Sequence, residues 1–316
     1  MDHRVPPGSI VVGVDGSKGS HRAARWALAE ARAWQAPLCL VHVWSPPIVD
    51  WPVPVGTAYV DLAALPSPSA AILDAAESTL SEEAGIDGIE VHKLALDGQP
   101  TPTLIAAAQG SRALVLGTRG HGGFAGLLLG SVVAACLHHG PSPVIAVGGD
   151  TSLPGEAPVV VGIDSSGGSR AALDWAAAEA RTHGVLLRVV HGWDPAAVTP
   201  PGPSTSGSLD GEEFVIAADR YLTGVVDAAL ADLAPEDTPE VECLAVPAPA
   251  AEALLWEARN ASLLVVGSRG RGGFAGLLLG SVSRQCANYA PCPVAVVPGG
   301  SQALGPGLVQ SSSLRG

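Results

Sequence analysis

The chain alternates between short runs of branched apolar residues and longer segments in which apolar residues recur at helical spacing. Continuous apolar runs are typical of strands buried on both faces of a parallel sheet, and the spacing i, i+3, i+4 is typical of a helix with one buried face. Each half of the chain contains five such runs with helical segments between them. The pattern therefore predicts an α/β fold with two tandem domains, each a doubly wound, five-stranded parallel sheet.

The first helical segment of each half has a clear apolar stripe. Ser20 and Ser169 stand near its start, and we expect them to be N-caps because a serine oxygen accepts a hydrogen bond from a free helical N–H. The stripe contains one tryptophan in each half, which we expect in the core. Its residues are Ala23, Trp26, Ala27 and Ala31, then Ala172, Trp175, Ala176 and Ala180. Further helices are predicted at 70–84, 101–110, 214–234 and 250–259.

The two halves repeat each other with a period of roughly 150 residues. IVVGVDGS at 10–17 corresponds to VVVGIDSS at 159–166, for example. Such a period is too long for a solenoid repeat and indicates a duplicated domain. We expect one domain at 1–149, a second at 157–300, a short linker between them, and a disordered Gly- and Ser-rich tail at 301–316.

The strongest similarity between the halves is a glycine-rich stretch of fifteen residues after the fourth apolar run. It reads GTRGHGGFAGLLLGS at 117–131 and GSRGRGGFAGLLLGS at 267–281, with two differences. Glycine lets a ligand approach bare backbone, and N–H groups at such a turn and at a helix N-terminus form a site for an anion. The residues of this predicted phosphate cradle are Gly117, Gly120, Gly130 and Ser131, then Gly267, Gly270, Gly280 and Ser281. The alternative is that these glycines only allow tight packing of a strand-to-helix turn.

The pattern G-x2-G-x9-G-[S/T] at the end of an α/β domain resembles the ATP-binding class of universal stress proteins, and the similarity extends from Ile10 to Val297. The resemblance implies a tandem member with two Rossmann-like domains of strand order 3-2-1-4-5. In that order strands one and four adjoin where the winding reverses, which is where open α/β sheets bind ligands. The resemblance also implies one ATP per domain, with the presence of Mg²⁺ left open, and pairing of domains or chains through the strand-five edges, as in a homodimer.

The first strand of each half ends in an aspartate, Asp15 or Asp164. A carboxylate here can accept hydrogen bonds from ribose hydroxyls, hold a metal, or form an Asx turn or N-cap. The resemblance implies contact with the nucleoside part of ATP. It also implies that adenine contacts the end of strand two, at Val43 in the first half and Gly192 in the second. Because glycine offers no apolar wall, we expect adenine to pack less well in the second half.

Other candidate residues have weaker support. His42 and His191 lie in an apolar strand and are expected to be hydrogen-bonded core residues. Arg119 and Arg269 meet either a phosphate or solvent, and the sequence leaves both open. The dinucleotide fingerprint is excluded because the G-x-G-x-x-A pattern follows the fourth strand, and a Walker loop is excluded because residues 18–20 read Lys-Gly-Ser.

Charge and composition exclude several partners. The net charge is −13 and neither half has a basic run, so we expect no binding along a nucleic-acid backbone. No apolar run approaches the roughly 18 residues of a membrane span. The start of the chain lacks a secretion-signal pattern, so we expect a cytoplasmic protein without membrane association. The five cysteines form no CxxC pair and are expected to be reduced thiols.

Phosphoryl transfer needs charge stabilisation and a positioned nucleophile or water. Neither cradle contains a lysine, and neither shows an evident general base or a G-x-S-x-G elbow. We therefore predict an ATP-binding regulatory protein of a stress or dormancy response, with little hydrolysis and a protein partner that the sequence does not identify. Two alternatives stay open: a slow ATPase or nucleotide-dependent transferase, and an interaction module that works without nucleotide.

Overall fold

A computed structural model describes residues 5–45, 68–120, 129–148, 153–164, 166–193, 211–231, 234, 238–270 and 279–299. The predicted tail at 301–316 lies outside these residues. In the first repeat the elements are β1 Ile10–Gly13, α1 Lys18–Ala33, β2 Leu38–Trp44, α2 Ser69–Ala84, β3 Val91–Asp97, α3 Pro100–Ala107, β4 Ala113–Gly117, α4 Ser131–His139 and β5 Val144–Val147. In the second they are β6 Val159–Gly162, α5 Gly167–His183, β7 Leu187–Gly192, α6 Gly211–Leu230, β8 Val241–Val246, α7 Ala250–Glu257, a 3-10 turn Ala258–Asn260, β9 Leu263–Gly267, α8 Ser281–Tyr289 and β10 Val294–Val297. The predicted helices agree with these bounds to within a few residues.

Each repeat forms a parallel sheet with the predicted strand order. The order is β3-β2-β1-β4-β5 in the first repeat and, read from its outer edge, β8-β7-β6-β9-β10 in the second. The winding reverses between β1 and β4, and again between β6 and β9. Both reversals bring the carboxyl ends of two neighbouring strands together, which opens a cleft there.

The two sheets join edge to edge within the chain. Strands β5 and β10 pair antiparallel, with Ile145 opposite Ala295, so that ten strands form one continuous sheet. The sequence left open whether the strand-five edges join domains or chains, and here they join domains. The prediction of a homodimer through these edges is therefore wrong, because the two edges are already hydrogen-bonded to each other within one chain. The outer edges of the sheet are β3 and β8.

Helices cover both faces of the sheet, and alternate strand residues reach opposite layers. Ile10 and Val12 of β1 belong to the core layer that also contains residues of α1, α2, α5 and α6, whereas Val11 belongs to the layer that contains residues of α3, α4, α7 and α8. Both layers run across the two repeats, so the chain has a core on each face of the shared sheet. Among the described residues, no helix combines the length and the apolar character needed to cross a bilayer.

Helices α1 and α5 begin one turn earlier than the sequence predicted. Their N-caps are Ser17 and Ser166, whose Oγ atoms accept hydrogen bonds from the backbone N–H groups of Ser20 and Ser169 at 3.1 Å in both repeats. The expected N-caps Ser20 and Ser169 are thus in the first turn, where their own hydroxyls donate to the carbonyls of Ser17 and Ser166. The apolar stripes are confirmed, since all eight residues are buried, including both tryptophans.

The cysteines behave as the sequence predicted. All five are free, and four of them are buried. Burial raises the pKa of Cys136 to about 11, and that of Cys286 and Cys292 to about 12. These thiols are therefore protonated at neutral pH and are small apolar side chains of the core.

Helices α1 and α5 meet across the junction through a buried charged cluster. We call Glu30, Glu179 and His183 the interface cluster. Nε2 of His183 lies 3.0 Å from Oε1 of Glu30 and 3.5 Å from Oε1 of Glu179. Trp34, the C-cap residue of α1, donates its indole N–H to Oε2 of Glu179 at 3.2 Å, and the guanidinium of Arg112 stacks on the Trp34 ring. Polar contacts thus join the two repeats inside the molecule.

The three titratable groups of the interface cluster affect one another. Burial, and then the charge of Glu179, raises the pKa of Glu30 well above its usual value. Burial would raise the pKa of Glu179 too, but its close contacts with His183 and Glu30 lower it. Burial would lower the pKa of His183, but its close contacts with Glu179 and Glu30 raise it to about 10. His183 is therefore protonated at neutral pH and lies between two acidic side chains.

Candidate functional site

All twelve residues predicted to bind a ligand line two equivalent cavities at the reversal points of the sheet. The first cavity, about 310 Å³, is lined by Asp15, Val43, Gly117, Gly120, Gly130 and Ser131, and the second, about 380 Å³, by Asp164, Gly192, Gly267, Gly270, Gly280 and Ser281. We call them the first and second clefts. Both fall in the lower part of the range typical of small-molecule sites, roughly 300–1,000 Å³. The ligand roles of these residues stay predictions.

The aspartate of each cleft is fixed by the turn that starts the next helix. Oδ1 of Asp15 accepts a hydrogen bond from the backbone N–H of Ser17 at 2.9 Å, and Oδ1 of Asp164 accepts one from Ser166 at 3.1 Å. The backbone N–H of Asp15 donates to Oγ of Ser20 at 3.2 Å. The Asx turn that the sequence left open is therefore present. It orients one oxygen toward the helix and leaves the other, Oδ2, at the glycine-rich loop.

The glycine-rich loop runs so close to the aspartate that a side chain is excluded. A Cβ atom at Gly120 would collide with Oδ2 of Asp15, and one at Gly270 would collide with Oδ2 of Asp164. These two glycines therefore let the loop and the carboxylate share one wall of the cleft. The same geometry occurs twice, although the two aspartates differ in their neighbours along the chain.

The first glycine of each loop serves packing between elements. A Cβ at Gly267 would lie 2.7 Å from the carbonyl carbon and oxygen of Gly168, in the first turn of α5. Gly117 approaches Gly19 of α1 in the same way. The packing interpretation of the glycines is thus correct for Gly117 and Gly267. It does not compete with the ligand interpretation, because the close approach brings the start of α1 or α5 to the cleft.

The last glycine of each loop is the N-cap of a helix. Gly130 precedes α4 and Gly280 precedes α8, and neither receives a side-chain capping bond. Their own N–H groups donate to the carbonyls of Thr118 and Ser268, both at 2.8 Å, which holds the ends of the loop together. The free N–H groups of the first helical turn and the hydroxyl of Ser131 or Ser281 lie at the cleft. This arrangement favours an anion.

The apolar wall differs between the clefts. In the first cleft it includes Val43 and Leu104. In the second cleft, a Cβ at Gly192 would lie 2.6 Å from Cα of Ala250, the first residue of α7. The glycine is therefore needed because α7 begins against the end of β7. In the second cleft, therefore, the position that Val43 occupies in the first is a glycine against which the backbone of α7 packs.

Both strand histidines are hydrogen-bonded, as predicted, but only His42 is buried in the core, and His191 is half-buried. Nδ1 of His42 donates to the carbonyl of Val14 at 2.7 Å, and Nδ1 of His191 donates to the carbonyl of Ile163 at 2.9 Å. Both bonds cross from the second strand of a repeat to the end of the first. They fix the backbone just before the aspartate.

Sequence reasoning did not single out several residues of the clefts. Gly19 and Gly168 are the clearest case, since a Cβ at either would collide with the carbonyl of Arg119 or Arg269. Their recurrence at corresponding positions of both repeats was the available signal. Leu104 and its counterpart Leu254 also line the clefts. Their helices gave no sequence pattern that pointed to a ligand.

His138 and His139, which received no role from the sequence, lie beside the second cleft. With Ser166, Gly168 and Arg269 they line a separate polar cavity of about 690 Å³. Burial, and then the charges of His139 and Arg284, lower the pKa of His138. The corresponding positions of the second repeat are Asn288 and Tyr289, so the two clefts also differ in their surroundings.

The fold and the two clefts define a class: a tandem α/β protein with a glycine-rich cleft at each reversal point of its sheet. The chain belongs to the universal stress protein family, whose model matches residues 8–148 and 157–298. The predicted family and its tandem organisation are therefore confirmed.

Named relatives cover almost the whole chain. A universal stress protein of Mycolicibacterium smegmatis is 35% identical over 298 residues, which cover 91% of this chain and 96% of that protein. Universal stress protein Rv2623 of Mycobacterium tuberculosis is 32% identical over 301 residues, covering 91% and 95%. The crystal structure of a universal stress protein from Archaeoglobus fulgidus matches 94% of this chain and 100% of its own, with a TM-score of 0.63 and 21% identity, and it supports the fold.

Proposed function

We propose that this chain is an ATP-binding regulatory protein of the stress or dormancy response, with one ATP site in each repeat. One observation carries the proposal. In both repeats, an oriented aspartate, a glycine that leaves room for its carboxylate and a helix N-terminus line one cavity. Each feature suits one part of a nucleotide. The aspartate can accept hydrogen bonds from the ribose hydroxyls, the glycine lets the phosphates approach the backbone, and the helix N-terminus favours their negative charge.

The parts of the cleft fit the parts of the nucleotide. Asp15 or Asp164 would accept hydrogen bonds from the ribose hydroxyls. The phosphates would lie against the loop glycines, the first turn of α4 or α8, and the hydroxyl of Ser131 or Ser281. Adenine would pack near Val43 in the first cleft and near Gly192 in the second. Whether Mg²⁺ accompanies the phosphates is part of the test below.

Regulation fits the clefts better than fast catalysis. Among the described residues that line the first cleft, the acidic group is Asp15, and its Oδ1 is already used by the Asx turn. His42 uses Nδ1 for a backbone carbonyl. We therefore propose slow turnover, with bound ATP stabilising the native state and changing affinity for a protein partner.

Denaturing freshly purified protein and identifying the released nucleotide tests the proposal directly. Close to two ATP per chain is expected if both clefts fill, and close to one if the second cleft is weaker. A titration with ATP, ADP and AMP, with and without Mg²⁺, then gives the affinity of each. An absence of binding to all of them would overturn the proposal, as would steady hydrolysis faster than about 1 s⁻¹.

Single substitutions distinguish ATP binding at the first cleft from ATP binding at the second. Asp15→Asn and Asp164→Asn keep an oxygen for the Asx turn but remove the charge. Each should weaken ATP at its own cleft by about tenfold or more, since hydrogen bonds to a charged group contribute about 1.5–3 kcal/mol. The matched control is Asp87→Asn at an exposed turn, which should bind as the parent does.

A further inference from the structure

The interface cluster has the composition and spacing of a metal site, and it lies apart from both clefts. We propose that it binds one divalent transition-metal ion of the Zn²⁺ type, held by one carboxylate oxygen each of Glu30 and Glu179 and by Nε2 of His183. The ion would connect α1 of the first repeat to α5 of the second. This proposal does not depend on nucleotide binding.

The donor atoms are already close together. One atom from each of the three residues lies within 4.8 Å of the others. The two nitrogen-to-oxygen separations that involve Nε2 of His183 are 3.0 and 3.5 Å. Two ligands of a tetrahedral zinc ion, with bonds of roughly 2.0–2.2 Å, are about 3.3 Å apart. An ion therefore fits among these atoms after small side-chain adjustments.

One carboxylate oxygen of the cluster lies 3.5 Å from Nε2 of His183 and accepts no hydrogen bond among the described residues. Oε1 of Glu179 is buried without a hydrogen-bond partner among the described residues, and the Glu179 side chain is 1% exposed. The other oxygen, Oε2, accepts the indole N–H of Trp34. Trp34 thus orients the carboxylate, as outer hydrogen-bond partners do for metal ligands. Leaving a buried carboxylate oxygen unsatisfied costs free energy, which a metal bond would remove.

The charges also call for a cation between the glutamates. Two buried carboxylates repel each other strongly unless a positive charge lies between them. In the ion-free protein the imidazolium of His183 has that place. A divalent ion would take it over while the imidazole becomes a neutral ligand. Arg112, stacked on Trp34, adds a positive charge that interacts with both glutamates.

The donor set indicates which ion and which role. One imidazole and two carboxylates suit Zn²⁺, Co²⁺ and similar ions, whereas Ca²⁺ and Mg²⁺ prefer six or more oxygen ligands. The side chains of Glu30, Glu179 and His183 are 3%, 1% and 7% exposed. Such a closed site cannot admit a substrate, so the ion would be structural. Water is the remaining candidate for a fourth ligand.

The repeat explains how the cluster arose from two equivalent helices. Glu30 and Glu179 both follow the core tryptophan of their helix by one turn, and Trp34 and His183 both follow one turn later. At that last position the first repeat has an indole, which only donates, and the second has an imidazole, which can bind a metal. Only one of the two equivalent positions therefore supplies a ligand, and the cluster holds a single ion.

The test uses the full chain without an affinity tag, stripped with EDTA and equilibrated at about pH 8. After addition of Zn²⁺ and gel filtration, elemental analysis should give one zinc per chain. With Co²⁺ in its place, intense visible absorption bands of a tetrahedral site should appear. Trp34→Phe removes an outer hydrogen-bond partner and should weaken Zn²⁺ binding by roughly 10–100-fold. His183→Gln and Glu30→Gln each remove a ligand and should weaken Zn²⁺ binding by more than that.

The matched control is His92→Gln, which removes a partly buried histidine outside the interface cluster whose Nε2 lies 2.9 Å from Oε1 of Glu90. It should bind Zn²⁺ as the parent does. Circular dichroism in EDTA checks that each variant is folded, and Trp34→Phe keeps all three ligands should the other two variants fail to fold. The proposal is overturned if the parent retains no zinc, if His183→Gln retains as much as the parent, or if His92→Gln is the variant that loses it.

Discussion

At the scale of single residues, the atoms opposite several glycines of the two clefts explain why no side chain fits at those positions. Gly120 and Gly270 face an aspartate oxygen, Gly117 and Gly267 face the backbone of the first helix, and Gly192 faces α7. The first pair keeps the carboxylate at the cleft, and the others keep elements in contact. Substitutions at these positions therefore test different properties, and only some are suitable for measuring ligand affinity.

Gly267→Ala should destabilise the fold. The new methyl group would lie 2.7 Å from the backbone of Gly168, where a rigid helix start cannot give way as a side chain could. Overpacking of this kind costs about 1–3 kcal/mol, which urea unfolding would detect. Gly224→Ala is the control, because nothing lies within 4 Å of its added methyl group and alanine favours the interior of α6 by about 0.5–1 kcal/mol. Equal stability of the two variants would contradict this account of the loop.

Gly192→Val should not restore the wall that Val43 gives the first cleft. Its Cβ would lie 2.6 Å from Cα of Ala250 and 3.0 Å from the carbonyl of Ala248. We expect a loss of about 1–3 kcal/mol in the free energy of unfolding and no gain in ATP affinity. Thermal unfolding and a parallel ATP titration would check both. A variant that unfolds like the parent and binds ATP more tightly would show that α7 can move.

At the scale of elements, the start of α1 shows where sequence patterns reach their limit. Ser17 and Ser20 are both serines near the helix start, and either can cap a helix in principle. The N-cap is fixed by Asp15, the second residue after β1, because its Oδ1 accepts a hydrogen bond from the N–H of Ser17 and so begins the turn there. The strands, the buried stripes and the strand order were predictable because periodicity and topology are repeated signals. The cap position depends on one local hydrogen bond.

Ser17→Ala should cost about 1 kcal/mol, within the range of roughly 0.5–2 kcal/mol for loss of an N-cap oxygen. The N–H of Ser20 loses its acceptor, while the bond from Ser17 N–H to Asp15 is kept. Chemical denaturation measures the change. Ser78→Ala on the exposed side of α2 is the comparison and should change stability by less than about 0.5 kcal/mol. An equally small effect at Ser17 would contradict the assigned cap.

At the scale of the whole molecule, the interface cluster could not be predicted from the sequence. Glu30 and Glu179 belong to different repeats, and they meet only because β5 and β10 pair. The signal was a glutamate on the buried side of the same helix in both repeats, one turn after the core tryptophan. A charged residue at such a position needs a partner, but nothing in the sequence identifies it.

The interface cluster should make stability depend on pH in the alkaline range when EDTA keeps metal away. The pKa of His183 is raised to about 10, above its ordinary 6.5, by Glu179 and Glu30 against the effect of burial. Its stabilising charge is therefore fully present below about pH 6.5 and is lost as pH rises through about 10. Arg112 is a further charged group near the cluster, and it interacts with Glu179, with Glu30 and with the neighbouring charge of Arg181.

Thermal unfolding at about pH 7, 8, 9 and 10 gives the measurement. The parent should be more stable than His183→Gln at neutral pH, and the difference should shrink as pH rises. His92→Gln should keep a constant difference from the parent over this range, since that histidine lies outside the interface cluster. A difference that stays constant up to about pH 10 would mean that the histidine contributes packing and not charge.

The antiparallel pairing of β5 with β10 has a consequence for how the two clefts can evolve. Two identical subunits joined by such an edge must carry identical clefts, because one gene encodes both. In a fused chain each half mutates separately while the shared sheet keeps their spacing. Val43 and Gly192, or His138 and Asn288, are differences of this kind. Under the proposed function, one chain would therefore respond at two concentrations of the same nucleotide, with no second gene and no exchange of subunits.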